Sequence, residues 1–158
     1  EHKIEIIIHP QSIVHSLIET KDSSMLAVLS EPDMKISIAY GLGYPKKIKS
    51  SVASLDLVKH QKLEFLNVDK MDFPSINFAR EALREGESIP AVMNASNEVA
   101  VDYFLNGKSS FNTIFDTVKY CMEEFLNKDK KMNLSIDELI DIDKETRILA
   151  EQFIKKII

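Results

Sequence analysis

Apolar and polar positions along this chain follow two different periods, strand-like at the start and helical from about Met71 onward. Ile4 to Ile8 is a short β-branched run suited to a buried strand. Ser12 to Thr20 alternates loosely and Met25 to Leu29 is a further apolar run, while Lys21-Asp22-Ser23-Ser24 between them predicts a hairpin turn. Pro32 can occupy the first turn of a following helix, where its missing N–H costs little, and that helix should stop near Gly41 to Pro45. Three strands and one helix leave one face of a sheet with nothing to cover it. The segment 1–43 is therefore expected to want a partner.

Residues 44–69 carry a polar Lys/Ser stretch and then a short predicted strand, Leu63 to Val68, and read as a linker packed along the preceding sheet. Beyond it the punctuation is that of helices. Asp72 can cap one, with Pro74 inside its first turn and Gly86 as its stop. Ser88 with Pro90 opens a second that ends near Gly107, and Ser110 opens a third with the apolar stripe Phe111, Ile114, Phe115, Val118, Cys121 or Met122, and Phe125. Ser135 and Glu138 form a capping box for a short helix, and Asp143 opens a last one striped by Leu149, Phe153 and Ile157. Helices with short connections and one apolar face each predict a small antiparallel bundle over 70–158. The fold class expected is α+β.

Composition narrows the function classes only a little. The chain has 158 residues, enough for one domain with a real core or a small domain with part of another. A net charge of −5 argues against a nucleic-acid partner, and the cluster Lys46, Lys47, Lys49 reads as a solvated loop. The single cysteine, Cys121, rules out an internal disulfide and a multi-cysteine metal cage. No apolar run approaches the roughly 20 residues of a membrane span. A chain that opens without methionine, almost at once inside an apparent strand, reads as a fragment.

Candidate chemistry gathers in the first 34 residues. His9 and His15 are six apart, a spacing that shares one face of a continuous strand, although Pro10 can break it. A metal or phosphate site is one reading, but zinc would need further ligands that no nearby spacing supplies. His2 and His60 lack patterned neighbours and read as surface residues. The stretch from Asn127 to Glu138 imitates a calcium loop, yet Lys131 and Met132 stand where an oxygen ligand and glycine are needed, so it reads as a helix connection. Gly41-Leu42-Gly43 lacks the strand and third glycine of a dinucleotide loop and reads as a chain turn. Cys121, on an apolar stripe, reads as core. Asn94 and Asn97 inside a helix are costly by propensity and should make specific hydrogen bonds.

Four blocks in one order carry a resemblance: HPQSIVHS at 9–16, LSEPDM at 29–34, the helix end from Ala39 to Pro45, and MNASNEVAV at 93–101 with Phe104-Leu105 after it. Together they resemble the C-terminal part of the 1-deoxy-D-xylulose 5-phosphate reductoisomerases of non-mevalonate isoprenoid biosynthesis. The resemblance implies an NADPH- and divalent-metal-dependent enzyme, using magnesium or manganese, that converts its phosphosugar substrate to 2-C-methyl-D-erythritol 4-phosphate. It implies residues 1–43 as the end of the catalytic α/β domain, 44–69 as a linker with a short strand, and 70–158 as a C-terminal four-helix bundle. It also implies an NADPH-binding Rossmann domain, the Asp-Ser-Glu metal motif and the phosphate-gripping residues upstream; none of those motifs lies in this chain, which by itself would be inactive.

By the same resemblance His15 supports substrate and a metal-proximal acid, Pro32 and Met34 line the pocket near the nicotinamide, and His9 and Ser12 play a supporting part. A pliable thioether such as Met34 can pack against a nicotinamide face, and a histidine can orient a carboxylate ligand of a metal. The implied partners are the substrate, the remainder of the enzyme and a second copy in a homodimer, with no nucleic acid and no membrane. The implied compartment is either a plastid-type organelle, plastid or apicoplast, or the bacterial cytoplasm. A reading from another class is a non-catalytic helical interaction module that docks through its short sheet.

Overall fold

The computed structural model of the chain describes residues 3–68, 73–127 and 133–158. The chain divides into two compact units, one of Glu5–Val68 and one of Asp69–Ile158 together with Glu1–Ile4.

In the Glu5–Val68 unit the elements are β1 (Ile7–Ile8), β2 (Val14–Glu19), β3 (Met25–Leu29), α1 (Met34–Gly43), α2 (Leu57–His60) and β4 (Leu66–Asn67). β2 and β3 form the expected hairpin, antiparallel from Val14 opposite Leu29 to Glu19 opposite Met25, with a register shift between Val14 and Ser16. Its turn is locked by the Asp22 carboxylate, which accepts from the Ser24 N–H and the Thr20 hydroxyl while Ser23 takes φ +67°. Those bonds to the ionised form hold the Asp22 carboxyl down at about 2, the one from Thr20 contributing most.

β1 is shorter than the Ile4–Ile8 run suggested. It pairs only with β4, Ile7 with Asn67 and Ile8 with Leu66, so the strands make two separate two-stranded ladders. The helix after the hairpin begins later than expected. Asp33 is its cap: extended at φ −139°, it accepts the Lys35 N–H at 2.8 Å, which leaves Pro32 ahead of the helix and not in its first turn. The stretch after Pro45 is more than a linker, because it folds α2 behind the Asp56 cap and returns β4 to β1.

This unit has almost no interior. Ile13 is the one fully buried side chain in it among the described residues. Met25, Leu26 and Val28 of β3 are all more than half exposed, and Met34, Ile38 and Leu42 leave α1 apolar yet uncovered. A helix apolar all round is normally a buried one.

The second unit comprises α3 (Ser75–Glu85), α4 (Ile89–Leu105), α5 (Asn112–Leu126) and α6 (Ile136–Ile157). α4 packs against each of the other three. Its buried face is built of small residues, Ala95, Ser96 and Ala100 beside Ile89 and Val92. Ala82, Val92, Val118, Cys121, Met122, Phe125 and Ala150 close the main core, and Tyr120 of α5 stacks on Phe153 of α6 with ring centroids 4.3 Å apart. The buried hydroxyls of Ser96, Thr117 and Thr146 each donate to the carbonyl four residues back at 2.7 Å, so a polar atom sits in the core with no penalty for being unpaired.

Gly86 ends α3 at φ +65°, its N–H donating to the Ala82 carbonyl; the Asp72 cap expected at the other end lies outside the described residues. Ser110 stands just ahead of α5, its hydroxyl accepting the Thr113 N–H at 3.4 Å. Ser135 and Glu138 form the capping box, but there is no break at Asp143. α6 is one helix of 22 residues, because Asp143 reaches forward one turn to Arg147 at 2.7 and 3.1 Å and supports the helix instead of starting it. Its buried line is Thr146, Ala150 and Ile154. Of the expected stripe, Leu149 and Phe153 flank that line half-buried and Ile157 is exposed.

Candidate functional site

The His9-Pro10-Gln11-Ser12 segment is a tight turn, with the Ser12 N–H donating to the His9 carbonyl at 3.0 Å and Ser12 at φ +51°. That reversal breaks the strand, so His9 and His15 do not share a face. His9 turns toward the segment before β4: its Nδ1 lies 2.7 Å from the Glu64 carbonyl, which can only accept, so Nδ1 carries the proton. The ring stacks on Phe65 at 4.9 Å. Gln11 completes the clasp, donating to the Glu64 carboxylate at 3.0 Å and accepting the Glu64 N–H at 3.2 Å. Lys62 pairs with the same carboxylate at 2.6 Å.

His15, on β2, goes elsewhere. Its Nε2 is 2.8 Å from Ser30 Oγ, just past the end of β3. The Ser30 hydroxyl donates to the Glu31 carbonyl at 3.1 Å, and the Asp33 N–H donates to that same carbonyl at 2.8 Å. A hydroxyl has one proton, so with it given to Glu31 the His15 Nε2–H must be the donor, which leaves Nδ1 a free acceptor on an exposed ring. The Asp33 carboxyl is held below its ordinary value, chiefly by the Lys35 backbone N–H. His15, Ser30, Glu31 and the Asp33 cap thus fix one corner, from which Pro32 and Met34 project; Met34 is 71% exposed.

His60 is more buried than the surface residue expected, its side chain 28% exposed. Its Nε2 is shielded from solvent and stands 3.5 Å from Glu31 Oε1, so α2 touches the same corner. His2 lies outside the described residues. Ser30, Glu31 and His60 were not singled out from the sequence. The first two were within reach, because a hairpin turning at Lys21–Ser24 brings residue 30 beside residues 13–15, whereas nothing local points to His60.

Other candidates resolve as structure. Cys121 is fully buried and burial pushes its thiol up to about 12, which disqualifies it as a nucleophile. Asn94 donates to Glu98 at 3.1 Å, as a costly helical asparagine should. Gly43 ends α1 with no room for a side chain, since a Cβ there would meet Ile48 at 2.7 Å. Residues 128–132 of the calcium-like stretch, with Lys131 and Met132, lie outside the described residues. Among the described residues no three His, Cys, Asp or Glu side chains converge as a metal site, and no helix is long and apolar enough to cross a membrane.

The sequence model of the family described as DXP reductoisomerase C-terminal domain matches residues 29–149. The chain belongs to the 1-deoxy-D-xylulose 5-phosphate reductoisomerase family. It is 44% identical over 148 residues to the reductoisomerase of Methylobacillus flagellatus and 42% identical over 144 residues to that of Clostridium botulinum. Those matches cover 94% and 91% of this chain but 37% of each relative, so the chain spans well under half the length of the reductoisomerases it resembles.

Solved reductoisomerase structures agree. The Zymomonas mobilis enzyme in complex with NADPH superposes with a TM-score of 0.85 at 36% identity, over 97% of this chain and 40% of that one. A reductoisomerase in complex with NADPH, fosmidomycin and magnesium gives 0.86 at 39% identity, over 98% of this chain and 39% of that one. The match to the reductoisomerase family model begins at Leu29, so it takes in the Ser30–Met34 corner and nearly all of the helical unit. The HPQS turn and β2 rest on the pairwise matches.

Proposed function

We propose that this chain supplies the C-terminal section of an NADPH- and divalent-metal-dependent 1-deoxy-D-xylulose 5-phosphate reductoisomerase, and that the Ser30–Met34 corner is its contribution to the active site. The observation that carries the reading is the corner itself: a histidine and a capped helix start hold a proline and an exposed thioether in one fixed place. Residues 1–43 would close the catalytic domain, 44–69 would connect, and 70–158 would be the C-terminal bundle. The bare apolar faces of β3 and α1 support this, because the parts of the relatives that this chain does not cover would have a sheet face and a helix to pack against.

Pro32 and Met34 fit the nicotinamide end of NADPH, since both are exposed and apolar and Met34 can adapt its thioether to a flat ring. Bound NADPH would supply the hydride that reduces the rearranged aldehyde. His15, with Nε2–H committed to Ser30, would offer Nδ1 as the acceptor that orients substrate or a neighbouring acid. The described residues do not form a metal site, so a magnesium or manganese ion would be held by carboxylates outside this chain. A homodimer in the bacterial cytoplasm or a plastid-type organelle is the setting that goes with this function.

The test is to assay the full-length protein that contains this chain for NADPH oxidation dependent on 1-deoxy-D-xylulose 5-phosphate and magnesium, alongside the chain alone. Turnover by the first and none by the second is expected. Absence of turnover in a folded full-length protein overturns the reading.

A further inference from the structure

The corner that carries Met34 is tied on one side by His15 through Ser30. A second tie reaches it from α2, 29 residues further along the chain. Asp56 caps that short helix, its carboxylate accepting the Val58 and Lys59 N–H groups at 3.0 and 3.2 Å, and so fixes where His60 emerges at the helix end. His60 Nε2 is out of contact with solvent, has no hydrogen-bond partner among the described residues, and has the Glu31 carboxylate 3.5 Å away. An imidazole nitrogen facing a carboxylate at that range is favourable only when it bears its proton, because two lone-pair acceptors would repel. Glu31 is the residue whose carbonyl already takes the Ser30 hydroxyl and the Asp33 N–H. The bonds within the β3–α1 connection thus hold the Glu31 backbone, and the contact to its carboxylate comes from His60.

We propose that His60 is a positioning residue: by holding the Glu31 side chain it fixes the Glu31–Met34 corner against α2 and so sets the pose of the Pro32 and Met34 surfaces. The tie is an N–H-to-carboxylate contact between groups that are each about two-thirds buried, their side chains 28% and 33% exposed. Its effect is one of order in the corner and does not extend to the helical unit. The consequence for NADPH rests on the function proposed above; the effect on the corner does not.

The experiment uses the full-length protein containing this chain, with three variants: His60→Leu, which keeps bulk and loses the donor; His60→Gln, whose amide can donate from the place of Nε2; and Glu31→Ala, which removes the same contact from the other end. NADPH is titrated without substrate by its fluorescence, and hydrogen exchange is followed in peptides spanning 30–36 and, as controls, in α4 and α6. For H60L and E31A the expected result is NADPH binding weakened roughly 3–5-fold, the factor that corresponds to the loss of one modest donor–acceptor contact. Exchange at 30–36 should be faster in both and unchanged in α4 and α6, and H60Q should restore both readings. Wild-type binding and exchange in H60L and E31A would overturn the proposal, as would exchange that rises equally in the helical unit. If the wild-type protein does not bind NADPH at all, the cofactor reading fails, and the exchange comparison by itself decides whether His60 holds the corner.

Discussion

The Nε2 of His15 lies 2.8 Å from Ser30 Oγ, joining the first residues of β2 to the chain just after β3. The link matters because the next three residues are Glu31, Pro32 and Asp33, and the helix cap at Asp33 fixes Met34. Removing the imidazole leaves Ser30 and the Asp33 cap in place, so the fold should survive while the exposed acceptor disappears. In the full-length protein His15→Ala is expected to lower kcat/KM by roughly 10–100-fold, the range for loss of a supporting contact around a metal site. Steady-state kinetics, with circular dichroism to confirm folding, check it; full activity would remove His15 from the site. His60→Ala is expected to show a smaller effect, because His60 touches the corner only through the Glu31 side chain.

The Glu5–Val68 unit should not fold cooperatively alone. Only Ile13 is fully buried among its described residues, while Met25, Leu26, Val28, Met34, Ile38 and Leu42 are each more than half exposed. A peptide of residues 1–68 has too little apolar area leaving water to offset roughly 1–2 kcal/mol of backbone entropy per residue. Urea titration followed by circular dichroism should show a broad drift without a cooperative transition. A sharp transition would mean that this unit has a sufficient interior of its own.

Cys121→Ala should cost about 1 kcal/mol of stability and leave any activity of the full-length protein unchanged, since the loss is that of a small buried group in a close-packed core. The thiol is fully buried and its ionisation is pushed up to about 12, so thiol reagents should not modify it in the folded state. Denaturant titration and a labelling time course test both halves.

Legibility followed the range of the interactions. The hairpin, the capping box at Ser135 and the stop at Gly86 depend on neighbours a few residues away, and the pattern of side chains was enough to find them. Asp143 was misread because a helix cap and a mid-helix i,i+4 partner use the same residue types, and Arg147 one turn later decides between them. The shortening of β1 depends on β4, about sixty residues away, and no local signal carries that. At the candidate corner His15, Pro32 and Met34 are named by the family motifs, and their roles there stay proposals. Ser30 needed the hairpin register, and His60 needed the tertiary fold to bring α2 to Glu31.

Gly43→Ala should strain the end of α1. A Cβ would sit 2.7 Å from an Ile48 methyl, closer than packed carbons allow, so the Ile48 side chain or the chain that carries it must shift. A cost of about 1–3 kcal/mol is expected from overpacking of this kind. The double variant Gly43→Ala with Ile48→Ala should recover part of it, because the clash has lost its partner; thermal melts of the full-length protein read both. Equal melting of Gly43→Ala and wild type would show that Ile48 moves aside freely.

Acid should loosen the helical unit through Glu98. Arg147 of α6 donates to its carboxylate at 2.7 Å and also holds Asp143, and Asn94 donates from one turn back. The Arg147 hydrogen bond first, and then that of Asn94, keep the Glu98 carboxyl below its ordinary 4.5. A folded value below the unfolded one means that the native state favours the ionised form. Its contribution to stability is therefore complete above about 4.5 and is lost as pH falls through the lowered value. The link is exposed, so the effect should be modest and weakened by salt. Glu98→Gln should lower the melting temperature at pH 7 by a few degrees and flatten its decline between roughly pH 5 and 3 relative to wild type. Calorimetry across that range checks the sign: a variant whose midpoint falls as steeply with acid as the wild type would show that the α4–α6 ion pair does not couple protonation to folding.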